Sequence, residues 1–509
     1  MAYAEAVRMN SPVSATPISL AGDVAAMFGG IERHAIDYVP ARERHGTLGG
    51  QGVFWFLANF HFLTIATGFI GPSMGLSLGW TLIASIAGLL FGTVFMAVHA
   101  SQGPALGVPQ MVQSRAQFGV QGVVVPLVGA LFNFLAFNVI EAMLIGQGLS
   151  GMFGWNAVAV VLGLGAVSFA LAVWGHDWLH GSFRLLFWIS LPMIVLLTLG
   201  LLAGGVSLPA PAAAAGTAPL GWNAVAFAAQ FSACAAWNLS YGTCVSDYTR
   251  YMPRGRGLPL IVAVYLGAAL SAIWLMALGA WLAVRFGASD GLLALRDAGN
   301  ALVPHGGEIL AVVSILIMLA TMGLNSYSAA LTVITGIDAF RPLRPSPAVR
   351  IITVLAMTVL WLVVALRLDA TALDALWASL ALMLYLLVPW SAINLIDYFV
   401  IRHRRIAVVD LFTPRGVYGR WSARGLLAYA LGFGASVPFW VVGNFWTGPL
   451  AQRLGGVDIG WLVGLGISGV AYALLSLGFD HGREASALRA SERVLARLDG
   501  VSEERGSFL

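Results

Sequence analysis

Charge is scarce in this sequence. Asp, Glu and Arg make up 10% of its 509 residues and lysine is absent, so all 27 basic residues are arginine. Soluble domains carry about 25% charged side chains. With 59% hydrophobic residues, the chain has too little polar surface to cover a water-soluble particle, and it reads as an integral membrane protein. Cysteine is nearly as rare. Cys234 and Cys244 form neither a disulfide framework nor a metal-ligand pattern, and each reads as a small packing residue. Also missing are a GxxxxGK[ST] loop, paired CxxC and HExxH. Their absence removes the visible machinery of nucleotide-driven pumping and of zinc-dependent hydrolysis.

What the chain has in abundance is apolar runs long enough to cross a bilayer core of about 30 Å. Twelve are expected, near 53–76, 79–100, 120–149, 155–174, 184–206, 221–244, 258–285, 307–335, 350–367, 374–401, 425–447 and 459–479. The segments before span 1 and after the even-numbered spans hold 23 arginines. The opposite side holds only Arg285, Arg296, Arg367 and Arg453. The positive-inside rule places both termini in the cytoplasm, in a multi-pass protein of the plasma (inner) membrane. The net charge of +4 is therefore a matter of topology, and no nucleic-acid partner is expected. The first 50 residues lack the basic-then-apolar pattern of a signal peptide and read as a cytoplasmic tail. The interfacial pairs Asp247/Arg250 and Asp397/Arg402 are assigned to gating and topology as solvated or locally paired charges. Arg115 is expected to pair with an acid or a lipid phosphate.

With no soluble domain of useful size, function must lie within the spans. Span 1, "VFWFLANFHFLTIATGFIGPSMGL", carries Asn59 and His61, then Gly68, Gly71, Pro72 and Gly75. These glycines and the proline predict an interrupted helix, and open backbone at membrane depth is tolerated only against protein or a wet cavity. Span 6 repeats the theme with Trp237, Asn238, Ser240, Tyr241, Gly242 and Thr243. Interrupted helices at corresponding places in two halves point to an inverted-repeat transporter with a midplane site. In span 8, Thr321, Asn325 and Ser328 share a helical face beside Ser326.

Span 3 contains one acid, Glu141, within "NFLAFNVIEAMLIGQGL". A carboxylate at that depth costs a few kcal/mol, so it faces a cavity, a partner or a proton path. Phe137, four residues earlier, lies on the same face. An aromatic surface beside an acceptor suits a flat, heteroatom-rich ligand.

Three segments together carry a family resemblance: "GPALGVPQMVQSRAQFGVQG" at 103–122, "SDYTRYMP" at 246–253 and "NLIDYFVIRH" at 394–403. The chain resembles the nucleobase:cation symporter-1 family, nearest its purine–cytosine permease branch, over roughly residues 45–420. The resemblance implies an all-α, leucine-transporter-like fold of the amino acid–polyamine–cation superfamily. In that fold, tail 1–50 precedes a first five-helix repeat at 51–206, an inverted second repeat at 207–405, two C-terminal helices at 406–480 and a tail at 481–509. It also implies a symporter that imports a nucleobase with a cation by alternating access, working without a cofactor and as a monomer.

Carried over by position, the substrate-stacking aromatic falls on Phe137 and the ring-bonding amide or acid on Glu141. The second aromatic falls on Trp237 with Asn238, or on Tyr241, since both registers fit. Asn59, Asn325 and Ser326 complete the implied substrate set. The family's span-8 hydroxyl pair, which ligates sodium with span-1 carbonyls such as that of Ala58, aligns with Ala320 and Thr321. Losing one hydroxyl weakens the sodium reading and leaves Thr321 as its metal ligand. Glu141 and His61, both titratable, favour H+ over Na+. The alternative is a Na+-coupled transporter of allantoin, hydantoin, uracil or a thiamine-type pyrimidine. A channel would need a continuous polar stripe. A membrane enzyme would need a focused catalytic cluster, whereas His61, His99, His176, His180 and His305 are scattered.

Overall fold

Long apolar segments away from water satisfy their backbones only as helices or closed barrels. The computed structural model takes the first route and describes residues 34–204, 221–288, 290–343, 346–368, 372–443 and 445–500, leaving aside the side chains of 372–377. The expected tails therefore lie partly outside the described residues (1–33 and 501–509), as does the opening of the second repeat (205–220). Apart from a ribbon pairing Val441–Val442 with Trp446–Thr447, all described elements are helical.

Among the described residues, eight helices are long and apolar enough to cross a membrane. They correspond to spans 2, 3, 4, 5, 7, 8, 9 and 10: Leu78–Leu106, Val124–Phe153, Ala157–Trp174, His176–Leu202, Gly257–Phe286, Gly306–Phe340, Pro347–Arg367 and Ala378–Ile401. Span 1 is the bent pair Leu48–Leu57 and Phe62–Ser73, meeting at 60°. The remaining three expected spans are shorter: Ala224–Ser240 for span 6, Ala423–Ser436 for span 11 and Gly460–Leu475 for span 12. Spans 3, 8 and 10 are central, with 67%, 72% and 67% of their apolar windows buried, against 22% for spans 5 and 9. The outer spans turn large side chains such as Trp188, Leu196 and Leu360 outward, as helices facing lipid do.

Small residues decide where the central backbones meet. A Cβ on Gly92 of span 2 would lie 2.1 Å from the Ala235 carbonyl oxygen of span 6. One on Gly279 of span 7 would lie 1.9 Å from that of Ile65 in span 1. Spans 2 and 6, and spans 1 and 7, thus pack backbone against backbone, the close approach that small residues allow in membranes.

The break in span 1 is not where glycine and proline predicted it. The bend falls at residues 58–61, between Leu57 and Phe62, while Ile70–Ser73 is helical through Gly71 and Pro72. Gly68 instead makes room for span 7, since a Cβ there would lie 2.2 Å from the Met276 carbonyl oxygen. A helix can open without glycine when side chains satisfy the freed backbone groups, and those groups are satisfied here. The Ser314 hydroxyl accepts from the Phe62 amide at 2.8 Å, and the Thr64 hydroxyl donates to the Asn59 carbonyl at 2.5 Å.

The interfacial charges, expected solvated or locally paired, are buried, and Arg115 and Arg402 have acid partners as expected. Arg115, fully enclosed, pairs with Asp338 at 3.0 Å and donates to the carbonyls of Leu411 and Thr335. Arg250 is enclosed as well and donates to the Ala35 carbonyl at 2.7 Å and the Tyr327 hydroxyl at 3.1 Å. Asp397 is bonded by Arg402, by Gln117 at 2.6 Å and by Tyr472 at 2.5 Å, and Arg402 reaches on to Glu484 at 3.1 Å. The reason lies in the short connections around them. Between spans 2 and 3 the short helices Gln110–Gln113 and Arg115–Phe118 carry Arg115 and Gln117, and the terminal helix His481–Leu498 brings Glu484 onto Arg402.

Candidate functional site

The polar residues of spans 1 and 6 meet at the two helix interruptions. In span 6, helix Ala224–Ser240 gives way to a tight turn at Tyr241–Thr243 before the short helix Val245–Thr249. Three side-chain bonds tie this region to the span-1 break. The Trp237 indole N–H donates to Asn59 Oδ1 at 2.9 Å. The Asn59 amide donates to Asn238 Oδ1 at 3.0 Å and to the Ala268 carbonyl at 3.0 Å. The Tyr241 hydroxyl donates to the Ala58 carbonyl at 2.9 Å. Asn238 in turn donates to Thr93 of span 2 at 2.7 Å. Each group is buried and each bond satisfies an atom that desolvation would otherwise leave at a cost of about 1–3 kcal/mol.

Span 3 closes on this junction from the other side. The Phe137 ring meets the Trp237 indole edge-on, with centroids 5.7 Å apart and planes at 88°, a favoured arrangement of aromatic quadrupoles. Glu141, one turn further along, is 1% exposed, and its Oε2 has no hydrogen-bond partner. The Asn325 amide nitrogen on span 8 is likewise buried without a partner. The junction therefore offers an aromatic pair with an unpartnered acidic oxygen one turn along span 3, and span 8 carries an unpartnered amide donor.

His61 caps the second half of span 1. Its Nε2 lies 3.1 Å from the Ala58 carbonyl. A carbonyl only accepts, so Nε2 carries the hydrogen and a neutral ring presents its lone pair at Nδ1. That Nδ1 is buried without a partner, as is the Ser190 hydroxyl of span 5. Both residues line a cavity of about 10 Å³ together with Phe60 and Ser314, room for about one water.

Two other sequence-predicted residues have local partners. The Thr321 hydroxyl donates back to the Ile317 carbonyl at 3.1 Å. The Ser326 hydroxyl accepts from the Asn138 amide at 2.9 Å and meets Ser168 at 3.1 Å, joining spans 3, 4 and 8. Sequence reasoning passed over Thr93, Asn138, Ser190 and Ser314. Their signal was the same one Glu141 gave, a polar residue in an apolar run, but the hydroxyls of Thr93, Ser190 and Ser314 cost little to place in a helix and so stand out less.

Comparison with known proteins decides the family. A model of permeases for cytosine/purines, uracil, thiamine and allantoin matches residues 38–464. The chain belongs to the nucleobase:cation symporter-1 family, as a member of its purine–cytosine permease group. The "Putative purine-cytosine permease YxlA" of Bacillus subtilis (strain 168) is 34% identical over 449 residues, covering 87% of this chain and 96% of the relative. Purine-cytosine permease fcyB of Emericella nidulans is 26% identical over 471 residues, covering 87% and 88%. Among solved structures, Mhp1, a nucleobase-cation-symport-1 family transporter in a closed conformation with bromovinylhydantoin bound, superposes with a TM-score of 0.69 at 18% identity, over 90% of this chain and 99% of Mhp1. A Na+-coupled sialic acid symporter superposes at 0.58 with 13% identity, over 91% and 97%. The fold of this family member is thus the leucine-transporter-like one, and the protein is a membrane transporter rather than an enzyme.

Proposed function

We propose that this family member is a symporter that imports a purine or cytosine-like nucleobase with a proton, by alternating access between two five-helix repeats. The observation that carries the reading is the unpartnered Glu141 Oε2 beside the Phe137–Trp237 pair. A flat ring with exocyclic amino or ring N–H donors would lie against the aromatic pair and give Glu141 the hydrogen bond it lacks. Asn325 would donate to an acceptor on the same ligand. Asn59, Asn238, Tyr241 and Ser326 hold this site in shape through their bonds to one another and to neighbouring spans.

Proton rather than sodium coupling is supported by the state of the oxygens a sodium ion would use. The Ala58 carbonyl already accepts from Tyr241 and His61, and span 8 offers one hydroxyl, Thr321, beside Ala320. His61 Nδ1, by contrast, is an open proton acceptor beside room for a water. The transporter acts as a monomer in the plasma membrane with both termini in the cytoplasm, a placement supported by the arginine distribution.

Uptake of radiolabelled nucleobases into proteoliposomes tests the reading, with proton and sodium gradients imposed separately. Saturable uptake of a purine or cytosine driven by an inward proton gradient supports it. Uptake driven only by sodium and unchanged in Glu141→Gln replaces proton with sodium and reduces Glu141 to a structural group. A response confined to hydantoin, allantoin or uracil replaces the substrate class.

A further inference from the structure

Outside this site, three side chains converge where the chain enters span 1. His45 lies three residues before Leu48, and His176 and Asp177 open span 5. His45 Nε2 and His176 Nδ1 lie 3.0 Å and 2.8 Å from the same oxygen, Asp177 Oδ1. The ligand atoms of the three residues all fall within 4.8 Å of one another.

The second nitrogen of His45 gives the cluster its meaning. Nδ1 lies 2.9 Å from the Glu43 carbonyl oxygen, and because a carbonyl only accepts, Nδ1 carries the hydrogen. A neutral His45 ring then directs the Nε2 lone pair at a carboxylate oxygen, acceptor against acceptor. A cation between them removes the conflict. An imidazole that donates one N–H to a backbone carbonyl and offers its other nitrogen to an ion is the usual arrangement of a metal-bound histidine.

We propose that His45 Nε2, His176 Nδ1 and the Asp177 carboxylate form a site for a divalent transition-metal ion of the zinc class. Two imidazoles and one carboxylate suit such an ion better than calcium or magnesium, which take oxygen ligands. Bond lengths near 2.0–2.2 Å place tetrahedral ligands roughly 3.3 Å apart, so the two contacts to Asp177 open by only a few tenths of an ångström, and the two imidazole nitrogens already lie within 4.8 Å of each other. The Asp177 side chain is 42% exposed, which leaves an entry path and a position for water. The ion ties the segment leading into span 1 to the first turn of span 5. Because span 1 carries Ala58 and Asn59, such a tie restrains the helix that builds the substrate site, a consequence that rests on the symport reading while the binding itself does not.

Calorimetric titration of the purified full-length protein with zinc alone is the test. The expected result is one saturable site per chain, weakened about tenfold or more in His45→Ala and in Asp177→Asn. His45 is largely exposed, so His45→Ala leaves the fold intact. No saturable binding to the unaltered protein, the result if only a proton bridges these groups, overturns the proposal, as does equal binding by both variants. Where uptake is measurable, zinc slows it in the unaltered protein and not in His45→Ala. A protein that binds zinc at this site yet transports no nucleobase leaves the metal site standing and removes the symport reading.

Discussion

Trp237 and Asn59 lie 178 residues apart in the chain and are joined by an indole N–H donated to an amide oxygen at 2.9 Å. The bond fixes the indole plane against which Phe137 packs, and it holds the opened backbone of span 1 against span 6. Trp237→Phe keeps an aromatic face but leaves Asn59 Oδ1 buried and unpaired. The expected cost is about 1–3 kcal/mol of stability, read as a lower thermal midpoint in detergent, with a raised KM for uptake. An unchanged midpoint would show that the indole N–H bond is dispensable.

Glu141 separates stability from function. Its Oε2 lacks a partner, so Glu141→Gln removes a buried acid without changing the side chain's size, and the thermal midpoint is expected to hold or rise. Nucleobase uptake is expected to fall about tenfold or more, the scale of one charge-assisted hydrogen bond of 1.5–3 kcal/mol. Parallel measurement of melting and uptake checks the split, and a variant that loses both properties would make Glu141 structural.

Arg402 shields a buried carboxylate. Asp397 has no exposed surface, so Arg402→Ala leaves it with Gln117 and Tyr472 but no cation. The expected loss is about 3–5 kcal/mol. Asp397→Asn in the same background is expected to recover part of it, since the charge disappears with its partner, and denaturation of the two variants makes the comparison.

Gly279 faces the Ile65 carbonyl at a distance no Cβ tolerates. Gly279→Ala is expected to push spans 1 and 7 apart at a cost of about 1–3 kcal/mol. Gly434, with nothing near its missing Cβ, is the control. Gly434→Ala should melt within about 0.5 kcal/mol of the parent.

A pH response is expected at the N-terminal strap, residues 34–47 ahead of span 1. Burial lowers the His34 pKa, but hydrogen bonds to Asp37 at 2.5 Å and Glu43 at 2.7 Å outweigh it and raise the value to about 9. The folded state thus holds this proton more tightly than the unfolded chain. The stabilisation is complete below the ordinary histidine pKa of about 6.5 and is lost as pH climbs through 9. Limited proteolysis of the strap should accelerate between those values in the unaltered protein, and His34→Gln should flatten the profile.

Much of the proposed substrate site was legible because a polar group in an apolar run stands out. Glu141, Asn59, Trp237, Asn238 and Tyr241 were visible that way and Phe137 by its position one helical turn before Glu141, and the structure gathers Asn59, Trp237, Asn238 and Tyr241 at one junction, with Phe137 against it. The break of span 1 was misplaced because glycine and proline mark where a helix can open, while tertiary partners decide where it does. Asn325 and Ser326 illustrate the same limit. They are neighbours in sequence, yet one amide is unpartnered and the other hydroxyl is spent on Asn138 and Ser168.

Composition, run length and arginine placement by themselves determined that this is a helical membrane protein with its polar chemistry inside the spans. Those features depend on the transfer of individual residues from water to hydrocarbon, a property that adds up along the chain. Only the tertiary structure decided which carbonyls open, which arginines are enclosed, and which atoms of Glu141, His61 and Asn325 remain without partners. Hydrogen bonds act over about 3 Å, and the groups that meet at that distance are set by backbones packing through Gly92 and Gly279 from opposite halves of the chain.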